Sequence, residues 1–449
     1  MRGPVEETEQ QQRRGQAKYM GLAALVGLVV GVLGTVFHLG IDWLIQWPQW
    51  LGTVVGGPWL VVSAALVTMA ITVLCVFLVK RYAPEAGGSG VQELEGALEG
   101  LREVHWRRVL PVKFLAGLLS ISSGLVLGRE GPTIHIGASV AAALAEWSRI
   151  IDFERRGLLA AGAAAGLACA FNAPLAAVLF VIEETHRQFP YTFRTYMGVI
   201  VASCLSAVVL QNLTSPAPDL DIMVHAVPLW SLPGFLVLGG LLGLVGVALN
   251  AGLLAASDFA AACEKRLPYA YPAVIGLMIG MLFVLAPWAV GGGEAVIEEL
   301  ASHNPGFWVL LGLALLRFLT TVTSYSTGVP GGIFAPILTL ATCVGLAFGG
   351  LANGLGSDFA IAPTAFAVAA MGGLFTASVR APIVGVALAI ELTGSYTLLL
   401  PVMITAVTAN LFAHWAGGRP IYEQLLERTL RKAGIDPRVA TSREPIGLG

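Results

Sequence analysis

Gly128-Arg129-Glu130-Gly131-Pro132 sets an arginine and a glutamate among glycines in one of the most apolar stretches of the chain. Of the 449 residues, 56% are hydrophobic and only 12% charged, about half the charged fraction of an ordinary soluble domain. An ionisable residue in such surroundings needs a task, because charge is costly inside a bilayer. Apolar segments recur at roughly 20–47, 58–79, 109–127, 157–182, 195–213, 229–257, 270–290, 307–324, 333–352, 362–378, 381–393 and 398–416. Several fall short of the roughly 20 helical residues that cross a hydrocarbon core. Gly and Pro interrupt others, and such broken backbone is tolerated only where protein or a water-filled cavity surrounds it, as in transporters and channels. The pattern reads as an all-α polytopic membrane protein, without the alternation of an outer-membrane barrel.

The net charge of −2 gives no reason to expect nucleic acid as a partner. The five cysteines (Cys75, Cys169, Cys204, Cys263, Cys343) lie in apolar runs without close pairs, which argues against a disulfide framework and against zinc. No cofactor or metal is expected. Arg2, Arg13, Arg14 and Lys18 precede the first apolar run, placing a segment 1–18 on the cytoplasmic side by the positive-inside rule. Lys80, Arg81, Arg102, Arg107 and Arg108 form a second basic cluster on that side. The stretch 431–449 is expected to be a short cytoplasmic tail, too short for a folded regulatory domain.

The halves repeat three landmarks in one order. Pro84 to Gly90, followed by Glu93, Glu95 and Glu99, matches Pro287 to Gly293, followed by Glu294, Glu298 and Glu299, at an offset of 203. The loop at Gly128 matches the one at Gly328 at an offset of 200. Asn172-Ala-Pro174 leading to Glu183 matches Arg380-Ala-Pro382 leading to Glu391 at an offset of 208. We therefore expect one membrane repeat over 19–213, a linker over 214–228 and a second repeat over 229–430, as in secondary transporters. Similarity alone leaves open whether the repeats run parallel or inverted.

Three Gly-rich loops open into helices: Gly87-Gly88-Ser89-Gly90, Gly128 to Gly131 before Pro132, and Gly331-Gly332-Ile333-Phe334-Ala335-Pro336. A helix N-terminus presents unpaired amides and a partial positive charge, so such a loop can hold an anion without a full cation. Converging loops, with the Ser89 hydroxyl, would replace part of an anion's hydration shell. Glu130 would sit beside the same amides, occupy the anion site when ionised and free it when protonated. The bland alternative is a salt bridge to Arg129. Glu184 faces Leu392 across the duplication, so it is either a carboxylate with a task of its own or a solvated helix end beside His186 and Arg187. Tyr422 would ordinarily anchor an amphipathic stretch at the interface, Lys113 would snorkel or pair with Glu95 or Glu99, and His135 would be a packed or pore-lining residue.

Taken together, these residues resemble the CLC family of chloride channels and chloride/proton antiporters. Gly128 to Pro132 matches its Gly-Lys/Arg-Glu-Gly-Pro motif, Gly332-Ile-Phe-Ala-Pro336 its Gly-x-Phe-x-Pro motif, and Gly88-Ser-Gly90 the start of Gly-Ser-Gly-Ile-Pro; Val91-Gln92 departs from the last. The similarity continues through Gly162 to Leu167, Phe171 to Leu175 and Gly417 to Tyr422. The resemblance implies two inverted repeats of tilted, partly broken helices, a homodimer with one pore per subunit, and a prokaryotic-type protein of the inner (plasma) membrane with both termini cytoplasmic. It also implies chloride held by the hydroxyls of Ser89 and Tyr422 and the amides of Ile333 and Phe334, with Arg129 and Gly131 contributing from the Glu130 loop. Glu130 would be the external gate and proton carrier, and Glu184 the internal proton acceptor.

The expected function is exchange of chloride for protons, the alternative being a passive, voltage- or pH-gated chloride channel of the same family. An intramembrane protease built on Ser123 or Ser89 is disfavoured, since the chain has neither a His-Glu-x-x-His helix nor a Gly-x-Ser-x-Gly elbow. We therefore do not expect an enzyme.

Overall fold

The computed structural model describes residues 4–185, 192–220, 222, 224, 226–303, 305–354 and 361–436, with side chains from residue 13 onward. His186, Arg187 and the stretch 437–449 lie outside the described residues. Among the described residues there is no β-strand, only two isolated backbone bridges.

The first half contains α1 (Pro4–Leu44), α2 (Trp47–Gly52), α3 (Pro58–Tyr82), α4 (Val91–Leu98), α5 (Trp106–Ser122), α6 (Glu130–Ser148), α7 (Asp152–Phe171), α8 (Pro174–Glu184) and α9 (Phe193–Leu213). The second contains α10 (Leu232–Arg266), α11 (Ala270–Leu285), α12 (Glu294–His303), α13 (Phe307–Ser326), α14 (Phe334–Gly354), α15 (Pro363–Val379), α16 (Pro382–Thr393) and α17 (Leu399–Trp415), and α18 (Ile421–Lys432) follows. Seven helical spans are long and apolar enough to cross a membrane among the described residues; α11, α15 and α16 are apolar but shorter. The polar start is part of α1, which runs unbroken from Pro4.

The apolar run 157–182 is two helices. Asn172 adopts a left-handed backbone, φ 51°, and ends α7, while Pro174 opens α8. Arg380 (φ 74°) and Pro382 do the same between α15 and α16. A β-carbon disfavours left-handed φ, which Asn tolerates better than most residues.

Packing repeats with the sequence. In the first half α6 packs on α7, α7 on α9 and α1 on both α7 and α9; in the second, α14 packs on α15, α15 on α17 and α10 on both α15 and α17. Across the halves, α3 packs on its counterpart α11 and α8 on its counterpart α16. The Glu391 carboxylate at the end of α16 accepts from the Leu175 and Ala176 amides in the first turn of α8 (3.1 and 2.6 Å). The Glu183 carboxylate at the end of α8 accepts from the Ile383 and Val384 amides in the first turn of α16 (3.2 and 2.8 Å). Each helix thus caps the other, which requires that they run antiparallel. A two-fold relating antiparallel helices is perpendicular to them, so the repeats are inverted.

Structure corrects one of the matches. Gly128 corresponds to Gly332, not Gly328; Gly328 corresponds to Gly124, and both of these take positive φ, 78° and 95°. Glu130 and Phe334 then both start helices, with Pro132 and Pro336 in equivalent first turns.

Glycines let the paired helices touch. A Cβ on Gly162 would run into the Gly137 carbonyl, and one on Gly137 into the Gly162 carbonyl. In the second repeat a Cβ on Gly345 would lie 2.6 Å from the Phe366 carbonyl. Close backbone approach of this kind is how helices associate in lipid, where no hydrophobic gain drives them together. Gly162→Leu is therefore expected to abolish monodisperse protein in detergent, whereas Gly312→Leu, where a side chain meets open space, should leave it. Size-exclusion profiles of the two variants check this.

Candidate functional site

Irregular backbone at membrane depth must satisfy its own amides and carbonyls, and the three Gly-rich loops do so by bonding to one another. Gly128 N donates to Gly332 O (2.9 Å) and Gly332 N to Gly128 O (2.7 Å). Gly88 N donates to Val329 O and Gly331 N to Gly88 O, each at 3.1 Å. Ser120 Oγ donates to Pro330 O.

Two buried cations complete the satisfaction of the loops. Lys113 Nζ donates to Ala86 O (3.0 Å) and Gly88 O (2.7 Å), which corrects the expectation that it snorkels or pairs with Glu95 or Glu99. In the equivalent place of the second repeat, Arg317 donates to the carbonyls of Trp288, Val290 and Gly291 at 2.7–2.9 Å. Both side chains are fully buried. They hold the two Pro-Gly loops by their carbonyls, leaving the amide ends of the following helices to face the interior.

That interior collects orphaned polar atoms. Ser89 Oγ, both carboxylate oxygens of Glu130, His135 Nδ1 and Tyr422 Oη are buried without a formed hydrogen bond. Native interiors rarely leave such groups unpaired, and a concentration of them is the footprint of an absent ligand or ion. Ser89 and Tyr422, both fully buried, interact with each other. Tyr422 arrives from α18, which packs on α4, so it is no interfacial anchor. Phe334 rings Tyr422 from one side, centroids 5.9 Å apart, and also packs on Phe171, Phe180 and Phe375. Ile333 and Phe334 are fully buried at the start of α14.

The Glu130 carboxylate lies against Gly332, where a Cβ would be 2.9 Å from Oε2, and near the Ala335 amide in the first turn of α14. Gly131 passes so close to Ser89 that a Cβ there would be 2.5 Å from Oγ. A carboxylate at the amide ends of two helices stands where a free anion would be held. Arg129 does not bridge to it. Its guanidinium pairs instead with Asp219 (3.1 Å) and Glu294 (2.9 Å), leaving its backbone as the part that faces the loop. His135 is packed against Gly90.

Glu184 is half-buried at the end of α8 and hydrogen-bonds to the buried Glu95 of α4. Two carboxyls in such contact repel each other when both are ionised, and a proton held by either one relieves that repulsion. The sequence offered Glu95 only as a partner for Lys113. Tyr422 lies in electrostatic range of both Glu130 and Glu184. Gln92, where the motif departs, accepts from Gly90 N at 3.2 Å through its own carboxamide. Beyond it, a cavity of ≈ 480 Å³ lined by Lys80, Gly88, Gln92, Arg102, Tyr325 and Arg428, among others, opens toward solvent.

The sequence profile of a family described as "Voltage gated chloride channel" matches residues 71–414. A relative from Vibrio campbellii, described as H(+)/Cl(-) exchange transporter ClcA, is 41% identical over 419 residues, covering 91% of this chain and 89% of that one. The protein of the same description from Yersinia pseudotuberculosis is 40% identical over 431 residues, covering 94% and 90%. Among solved structures, one described as a slow cyanobacterial Cl-/H+ antiporter superposes with a TM-score of 0.88 at 35% identity, covering 93% of this chain and 99% of that one.

Arg317→Met would strand three buried carbonyls, at about 1–3 kcal/mol each. Its thermal unfolding midpoint in detergent should fall by many degrees, or the folded yield collapse, while the exposed Arg107→Met should leave both unchanged.

Proposed function

The chain belongs to the voltage-gated chloride channel family, and from that premise we propose that it exchanges chloride for protons across the membrane. The protein is a transporter, not an enzyme. The observation that carries the reading is the set of buried orphan atoms of Ser89, Tyr422 and Glu130 at converging helix N-termini. Chloride needs donors that are neutral and fixed, strong enough to replace water and weak enough to release it. Two hydroxyls and the amides of Ile333 and Phe334 are of that kind, with the backbone of Arg129 and Gly131 on the Glu130 side.

Glu130 competes with chloride for this space. Ionised, its carboxylate takes the anion position; protonated, it has no charge to hold it there, and the anion enters. One carboxyl therefore gates the anion and carries the proton. Glu184, with Glu95, accepts the proton on the other side: α8 spans about 15 Å from Pro174 to Glu184. The two steps use one interior, and that sharing couples the flows.

Sidedness follows from α1. The 20 residues from Lys18 to His38 rise about 30 Å, so the Arg129 cluster opens opposite to the basic N-terminal segment. With that segment cytoplasmic, Glu130 faces the exterior and Glu184 the cytoplasm, in a prokaryotic inner membrane. The same reading carries a homodimer, which light scattering of detergent-purified protein would count.

Chloride and proton fluxes from liposomes, recorded together, test the proposal. Wild type should pump chloride against its gradient when a proton gradient is imposed, and its reversal potential should move with pH; a reversal potential indifferent to pH would make it a channel. Glu184→Gln should lose proton flux by at least about tenfold while chloride flux persists. Glu130→Ala should lose pH-driven pumping and still pass chloride.

A further inference from the structure

Arg129 is the hub of a charged cluster that the exchange cycle described above does not use. Its Nε donates to Ala170 O at 2.9 Å, Nη2 meets Asp219 and Glu294, and Nη1 lies 3.0 Å from His38 Nε2. His38 Nε2 is also 3.1 Å from Asp42 Oδ2. These two contacts of one nitrogen exclude each other chemically. Nε2 accepts from a guanidinium only through its lone pair, and donates to a carboxylate only when it carries a proton. A protonated ring has only the Asp42 contact open to it, because both of its nitrogens then donate, whereas a neutral ring makes either contact according to its tautomer.

The cluster is graded in exposure. The Asp42 side chain is 54% exposed, Glu294 30%, His38 17% and Arg129 7%, and the next residue, Glu130, is fully buried. The groups facing His38 come from several elements: Asp42 on α1, Arg129 ahead of α6, Asp219 in the connection after α9, and Glu294 at the start of α12. From α7, the Cys169 thiol approaches Arg129 and Asp219. With ionised carboxylates and neutral His38 this set carries two net negative charges; protonation of the imidazole leaves one. Glu294 and Arg129 both act electrostatically on Glu130.

We propose that His38 is a positioning residue for the exchange: by passing its Nε2 between Arg129 and Asp42 as it gains or loses a proton, it sets how Arg129 is held beside Glu130 and so how readily the outer mouth admits an anion. The inference rests on the exchange reading and adds to it a proton-sensitive element outside the Glu130 to Glu184 route. One unit of charge in partly solvated surroundings changes anion access on the order of fivefold. Its sign is fixed by the charge: protonated His38 favours anion entrance.

The test uses planar bilayers containing the Glu130→Ala protein, in which chloride current no longer depends on the gating carboxyl. With pH stepped on the His38 side alone, between about 5 and 8, the current should rise on the order of fivefold toward acid. Adding His38→Gln, which keeps a polar side chain but no titration, should flatten the profile near its alkaline level. Adding Asp42→Asn, which removes the acceptor for the protonated ring, should shrink it. An unchanged profile in the His38→Gln protein would overturn the proposal, as would a flat profile with His38 intact. If Glu130→Ala carries no current, the chloride KM of wild-type exchange on that side gives the same reading, falling toward acid with His38 and constant without it. Failure of exchange itself is seen separately, as absence of proton flux in wild type.

Discussion

The reciprocal hydrogen bonds between Gly128 and Gly332 are the joint on which the site depends. They link symmetry-equivalent residues, so the pseudo-two-fold passes between them and the N-termini of α6 and α14 meet there. Backbone left unwound inside a bilayer is affordable only when each carbonyl and amide is accounted for. Lys113 and Arg317 account for carbonyls of the flanking loops. With these groups satisfied, what remains unpaired at the centre is selective: two hydroxyls, a carboxylate and the amide ends of helices.

The repeats differ at the residues to which the proposed exchange assigns its proton steps. Glu130 stands opposite Phe334, and Glu184 opposite Leu392, so one repeat supplies acidic groups where the other supplies apolar ones. Lys113 and Arg317, by contrast, are both cations and both structural. Tyr422 comes from α18, at the end of the second repeat, and closes over Ser89 from the side of α4. A near-symmetric scaffold thus holds an asymmetric row of groups, Glu130, Tyr422 with Ser89, then Glu184 with Glu95, on which the proposed exchange rests.

Much of this was legible in the chain. Loop glycines and prolines mark helix starts through φ preference and the missing amide of proline, so the three loops and their helices could be read directly. Other features carry no local signal. Inversion, implied by the family resemblance but not readable from the repeats themselves, is seen in Glu183 and Glu391 capping each other's helices. The Gly128 match was misplaced by four residues because the second repeat has glycines at both Gly328 and Gly332, and only left-handed φ distinguishes Gly328 from Gly332. The break inside 157–182, by contrast, was legible as Asn172-Ala-Pro174, and the left-handed backbone of Asn172 is the conformation behind it. The His38, Asp42, Arg129, Asp219 and Glu294 cluster draws on positions scattered over half the chain, with no spacing to betray it. Glu95 was visible as a carboxylate, but its pairing with Glu184 needed the approach of α4 to the end of α8.

The most direct measurement is anomalous diffraction from crystals of the Glu130→Gln protein soaked in bromide. A peak between the Ser89 and Tyr422 hydroxyls, with a second near the space left by the Glu130 carboxylate, is the expected result. Well-ordered density for both hydroxyls with no bromide between them would contradict the claim that this interior is built to hold an anion.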